Sequence, residues 1–142
     1  MRTRGMLGIL MAAAIGMMAV PAQAQMVVII SSKNPISRLE AGQVSQIFLG
    51  QAKTFFTGAM AVPLDQAEGS ALRKEFYEKL TGKNPAQLKA YWSKLTFSGN
   101  GQPPEALPNS AAVVKQVAEN PKFIGYVDKG AVDASVKVVL TL

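Results

Sequence analysis

Two rhythms of apolar and polar positions alternate along the chain, one with the period of strands and one with the period of helices. The first strand signal is "MVVIIS" at 26–31, a continuous apolar run rich in β-branched residues, as expected of a strand buried on both faces. "SKNP" closes it as a turn, with Asn34-Pro35 as the breaker. Val44, Ile47 and Phe48 then share one helical face. Leu39 and Val44 have the spacing of a hydrophobic staple around an N-cap at Glu40, and Gly50 marks the stop. "QAKTFFTG" reads as a loop, with Phe55 and Phe56 packed on the body.

The second strand is expected over 59–65, "AMAVPLD", where Pro63 favours an edge or a strand end. Leu72, Phe76 and Leu80 follow at i, i+4 and i+8, with Tyr77 beside them, and Gly82 ends that helix. Asn84 as N-cap and Pro85 at the first helical position open the next one, whose apolar stripe is Leu88, Tyr91, Trp92 and Leu95. "SGNGQPPEALP" reads as a Gly- and Pro-rich loop. A fourth helix runs from an Asn109 cap to the Asn120-Pro121 break and buries Val113, Val114 and Val117. "FIGYVD" and "VKVVLTL" are the last strands, the second alternating except at the paired Val138 and Val139. Four strands interleaved with four helices predict an α/β sandwich with a mostly parallel sheet flanked by helices.

The segment before this domain has another character. Arg2 and Arg4 precede an apolar, uncharged stretch over 6–20, and Ala22-Gln23-Ala24 is a small-x-small cleavage pattern. Those are the three parts of a bacterial secretory leader, so residues 1–24 are expected to be a signal peptide cut after Ala24, leaving one domain over 25–142 in the periplasm. Only Met26 and Met60 of the 7 methionines remain after that cut.

Composition then narrows the chemistry. The sequence holds neither cysteine nor histidine. Packing without disulfides must carry stability, and neither a Ser-His-Asp triad nor a His-based zinc site can be built. Asp128 and Asp133 flank Lys129 in the last loop, where Asp serves turn chemistry more often than a metal. No cofactor and no enzyme activity are expected, since no group is placed to activate a nucleophilic serine such as Ser70. The 15 Lys and Arg against 9 Asp and Glu give +6. Loss of Arg2 and Arg4 with the leader lowers this to +4, a cationic balance that favours anionic partners. The basic residues are dispersed, so nucleic acid is not expected.

The stretch "DQAEGSALRKEF" at 65–76 carries the candidate site. It joins a strand to a helix, where unpaired N–H groups and the helix dipole suit an anion. Gly69 permits close approach, the Ser70 hydroxyl can cap the helix or donate to an anion, and Arg73 lies one turn in. Asp65 and Glu68 oppose an anion unless they face away. Lys33, after the first strand, is a candidate to share this sheet edge. A Gly-Ser pair before a helix is also an everyday N-cap worth about 1 kcal/mol, and on residue types alone both readings stay open.

Four segments, "VVIISSKNPISRLEAGQVSQIFLGQAKTF", "VPLDQAEGSALRKEFYEKLTG", "YWSKLTFSGNGQPP" and "ENPKFIGYVDKGAVDASVKVV", resemble in order and spacing the phosphate-binding proteins of phosphate ABC transporters. These belong to the type II periplasmic binding protein superfamily, and the chain looks like a small, single-lobe member with one Rossmann-like lobe. The full-length family binds phosphate between two lobes. Its turn reads approximately Arg-x-Asp-Gly-Ser-Gly-Thr, with the Ser, backbone amides and Arg holding the anion.

Here Gly69 and Ser70 match, while Gln66 stands for the Arg, Glu68 for the Asp, Ala71 for the second Gly and Leu72 for the Thr. The resemblance implies phosphate or a related oxyanion as ligand at Gln66, Gly69, Ser70, Ala71, Leu72 and Arg73. It also implies an ABC transporter permease or envelope protein as partner. A second copy of the chain or another protein would have to cover the far side of the anion. The substitutions at Gln66 and Leu72 weaken the anion site and leave open an alternative, a single-lobe interaction module of the cell envelope.

Overall fold

The computed structural model describes residues 25–142, and Gly16 before them; the expected leader at 1–24 and its cleavage site fall outside the described domain. Five strands and four helices build it: β1 Met26–Ser31, α1 Ala41–Phe48, β2 Val62–Gln66, α2 Ala71–Thr81, α3 Pro85–Phe97, β3 Glu105–Leu107, α4 Ser110–Glu119, β4 Phe123–Asp128 and β5 Val136–Thr141. The strands form one sheet in the order β3-β2-β4-β1-β5. Four of the five run the same way; β1 runs against both neighbours, β4 and β5. The sheet is thus mostly parallel, with one reversed strand inside it.

That reversal has a consequence for Lys33. The end of β1 lies beside the start of β4, with Ile30 opposite Ile124, whereas β2 and β4 run side by side toward the other edge. Lys33 is therefore at the opposite end of the sheet from Ser70, and the shared edge expected from the sequence does not exist.

The layers follow from alternation along the strands. Met26, Val28 and Ile30 point to one face and meet α1, α2 and α3 through residues such as Phe48, Phe76 and Trp92. Val27 and Ile29 point to the other and meet Val113, Val114 and Val117 of α4. Burial on both sides is why β1 reads as an unbroken apolar run rather than an alternating one.

The helix ends keep the sequence logic. Leu39 and Val44 are both buried on either side of the Glu40 cap, and the Glu40 N–H donates to Gln43 Oε1 (2.8 Å). Asn84 Oδ1 accepts from Gln87 N (2.8 Å), and Asn109 Oδ1 from Ala112 N (2.9 Å). Asn34 is buried and ties its turn to the segment that leads into β4, donating from Nδ2 to the Pro121 carbonyl (3.0 Å).

Three sequence expectations change. Strand β3 lies in the stretch read as loop; at three residues and largely exposed, it carries no periodic signal. Strand β2 is internal, but β3 begins only opposite Leu64, so Pro63 is bordered by the sheet on one side. Phe55 is buried as expected, whereas Phe56 is 66% exposed. The paired Val138 and Val139 also gain a cause. The β1–β5 register slips between Val28 and Ile29, leaving Val139 as the extra residue of a bulge whose carbonyl accepts from Leu39 N (3.0 Å).

Gly125 sets the spacing between sheet and helix. A Cβ there would lie 2.4 Å from Val113 Cγ1 of α4. Gly125→Ala should lower stability by about 1–3 kcal/mol through overpacking. Urea unfolding would show it as a lower midpoint at unchanged slope.

Candidate functional site

The candidate site is built where β2 hands over to α2. The Ser70 N–H donates to the Ala67 carbonyl (3.0 Å), closing a turn whose third residue, Gly69, has φ +87°. A type II turn requires positive φ at that position, so Gly69 is explained by the turn itself. Ser70 is the N-cap of α2: its backbone is extended, and its Oγ accepts from Arg73 N (3.1 Å). The hydroxyl proton remains available to donate. The N–H groups of Ala71 and Leu72, first in the helix, have no carbonyl one turn back to bond.

Asp65, at the end of β2, organises what lies behind this turn. It is 2% exposed, and its carboxylate gathers four donors. Oδ2 accepts from Tyr77 O–H (2.7 Å) and Arg73 Nε (3.4 Å); Oδ1 accepts from Gln66 N (2.8 Å) and from Tyr126 O–H. Burial first, and then the Asp65 charge, hold both phenols well above their usual range, so Tyr77 and Tyr126 are neutral donors. Phe76 stacks on Tyr126 (centroids 3.8 Å apart) and fixes that ring. Asp65 therefore faces inward and does not oppose an anion at the turn. The same geometry draws Arg73 toward Asp65, leaving its terminal nitrogens for other partners.

A cleft of about 790 Å³ opens beside the turn, between α2 and α3. Glu68, Gly69, Ser70, Ala71 and Arg73 line it on the α2 side. Leu88, Trp92 and Phe97 line it on the α3 side, with Lys74, Lys83 and Lys89 around them. Four residues named from the sequence, Gly69, Ser70, Ala71 and Arg73, thus meet at one cleft. The other two do not line it. Gln66 is buried, and its amide Nε2 donates to Ser110 Oγ (3.1 Å) and to the Tyr126 carbonyl (2.9 Å), which joins β2 to α4 and β4. Leu72 is half-buried and packs against the core beneath α2.

The α3 wall escaped the sequence reading, because Trp92 at helical spacing reads as core. It is core as well, being 6% exposed. Tyr77 and Tyr126 as partners of Asp65 had no local signal, since Tyr126 is brought there by the β2–β4 pairing. Asp128 and Asp133 cap their own turns, accepting from Gly130 N (3.1 Å) and Ser135 N (2.9 Å). Among the described residues no cluster of three metal-ligating side chains occurs, and no helix is long and apolar enough to cross a membrane.

No protein-family model and no curated protein matches the chain. Solved structures do. A protein of Clostridium perfringens assigned as a phosphate ABC transporter substrate-binding protein, solved with bound phosphate, superposes with a TM-score of 0.64 at 24% identity over 81% of this chain. An ABC-type phosphate transport receptor from Vibrio cholerae gives 0.63 at 18% identity, and PstS from Borrelia burgdorferi 0.61 at 12%, each again over 81% of this chain. The fold is that of one lobe of a PstS-like phosphate-binding protein. The chain spans only 44% to 46% of the length of these three neighbours. Identities this low bear on the fold alone.

Proposed function

We propose that this PstS-like lobe binds phosphate or a related oxyanion at the N-terminus of α2, as a non-catalytic, exported component of phosphate ABC transport. The observation that supports it most is the Gly69–Ser70–Ala71 turn. It opens a helix onto a cleft in a fold whose Clostridium neighbour was solved with phosphate bound. The amides of Ala71 and Leu72, the Ser70 hydroxyl and the free end of Arg73 would supply the donors. Export follows from the expected leader, with cleavage after Ala24.

A second reading, a scaffold that docks an envelope partner, is favoured by one observation. The Gln66 amide and the Arg73 Nε, which could otherwise serve an anion, are engaged inside the protein.

Isothermal titration with phosphate, sulfate and carboxylates tests the first reading, and absence of heat at millimolar phosphate would sink it. Ser70→Ala should weaken phosphate binding about tenfold, as expected for one hydrogen bond to a charged group. It also removes the helix cap, so Ser70→Asp is the informative companion. Asp can still cap the helix, yet it places a carboxylate where the anion would sit. It should abolish binding while leaving the unfolding midpoint close to that of the parent. A retained phosphate affinity in Ser70→Asp would move the site elsewhere.

A further inference from the structure

The cleft is larger and more apolar than a bare inorganic anion requires. Its volume of about 790 Å³ lies within the range, roughly 300–1,000 Å³, of sites that enclose organic molecules. One wall is apolar: Leu88 and Trp92 form its floor, and Phe97, 97% exposed, stands at its mouth. A phenylalanine left in water at the rim of a concave surface gains by being covered.

Two polar features point the same way. The Trp92 indole N–H is buried and has no hydrogen-bond partner, on a residue that lines this cleft. Buried indole N–H groups normally find an acceptor, so the fold leaves one donor of this residue unmatched behind the wall. Lys74, Lys83 and Lys89 line the same space and, among the described residues, make no ion pair. Glu68 is the single carboxylate facing them. The cleft therefore combines positive charge at its rim, helix N–H groups at one end and an apolar floor.

We propose that this cleft takes an organic phosphate with an aromatic body, the oxyanion lying at the N-terminus of α2 and the ring against Leu88, Trp92 and Phe97. The inference rests on the oxyanion reading above and names its ligand class. The lysines favour the dianionic head over neutral aromatics.

Trp92 is the only tryptophan in the sequence, so intrinsic fluorescence reports on this cleft directly. The protein is titrated in turn with inorganic phosphate, phenyl phosphate and phenol. Phenyl phosphate should bind at least tenfold more tightly than inorganic phosphate and change the Trp92 emission, with phenol showing no saturable change over the same range. Phe97→Ser, at a position too exposed to disturb folding, should erase most of the advantage of phenyl phosphate. Equal affinities for phosphate and phenyl phosphate would overturn the inference while leaving the oxyanion reading intact. No binding of either would overturn both. Phenol binding as tightly as phenyl phosphate would show a cleft that ignores the anion and would overturn the ligand class. An undiminished preference in Phe97→Ser would overturn the assigned wall.

Discussion

Replacing Asp65 with alanine should destabilise the protein by about 3–5 kcal/mol, the range for removing one partner of a buried, hydrogen-bonded charge pair. The carboxylate is 2% exposed and is the shared acceptor of Tyr77, Tyr126, Arg73 and the Gln66 N–H. Its loss leaves two phenols and a half-buried guanidinium without their acceptor, and each orphaned donor carries a desolvation cost. Set against a total stability of about 5–15 kcal/mol for a domain of this kind, that is a large fraction. Asp65→Asn should lose less, because it keeps the shape and one acceptor. Urea unfolding of the three proteins checks the order. A midpoint for Asp65→Ala equal to that of the parent would mean the cluster does not hold β2 to α2.

Raising the pH above about 10 should destabilise the protein through the same cluster. Tyr77 and Tyr126 have folded-state pKa values raised above the ordinary value of 10.0, by burial first and by the Asp65 charge second. Below that value both states keep the phenolic protons, and the groups add no pH dependence. Above it the unfolded chain releases protons that the folded chain retains, so stability falls as pH rises. The slope is about 1.4 kcal/mol per pH unit for each phenol. Unfolding midpoints should be flat on approach to about pH 10 and then drop steeply. Tyrosinate absorbance from Tyr77 and Tyr126 should appear only with unfolding. In Asp65→Ala the drop should begin at the same pH and level off at a lower one, since the folded-state pKa values lose one of their causes. A midpoint that stays level well above pH 10 would contradict the neutral, buried phenols.

The candidate site was half legible for a reason that applies residue by residue. Ser70 and Gly69 could be found because a cap and a type II turn are local devices, satisfied within three residues. Gln66 sits beside them in sequence yet points away, because the direction of its side chain is decided by β4 and α4. Trp92 and Leu88 looked like core, and they are; that the same helix face also walls a cleft depends on where α2 stands relative to α3. Lys33 shows the converse. Its placement near Ser70 assumed a parallel first strand, and nothing in "MVVIIS" distinguishes a parallel strand from an antiparallel one, since both faces are buried either way.

Local chemistry was enough for the identity of the long elements, their caps and breaks, the α/β class and the turn at Gly69–Ser70. Each of these is set by interactions within a few residues, which periodicity and capping residues record directly. The reversed β1, the short edge strand β3, the bulge at Val139, the Asp65–Tyr77–Tyr126 cluster and the apolar wall of the cleft were decided only by the tertiary structure. They depend on pairings between residues tens of positions apart, and the free energy of such contacts leaves no period in the chain that makes them.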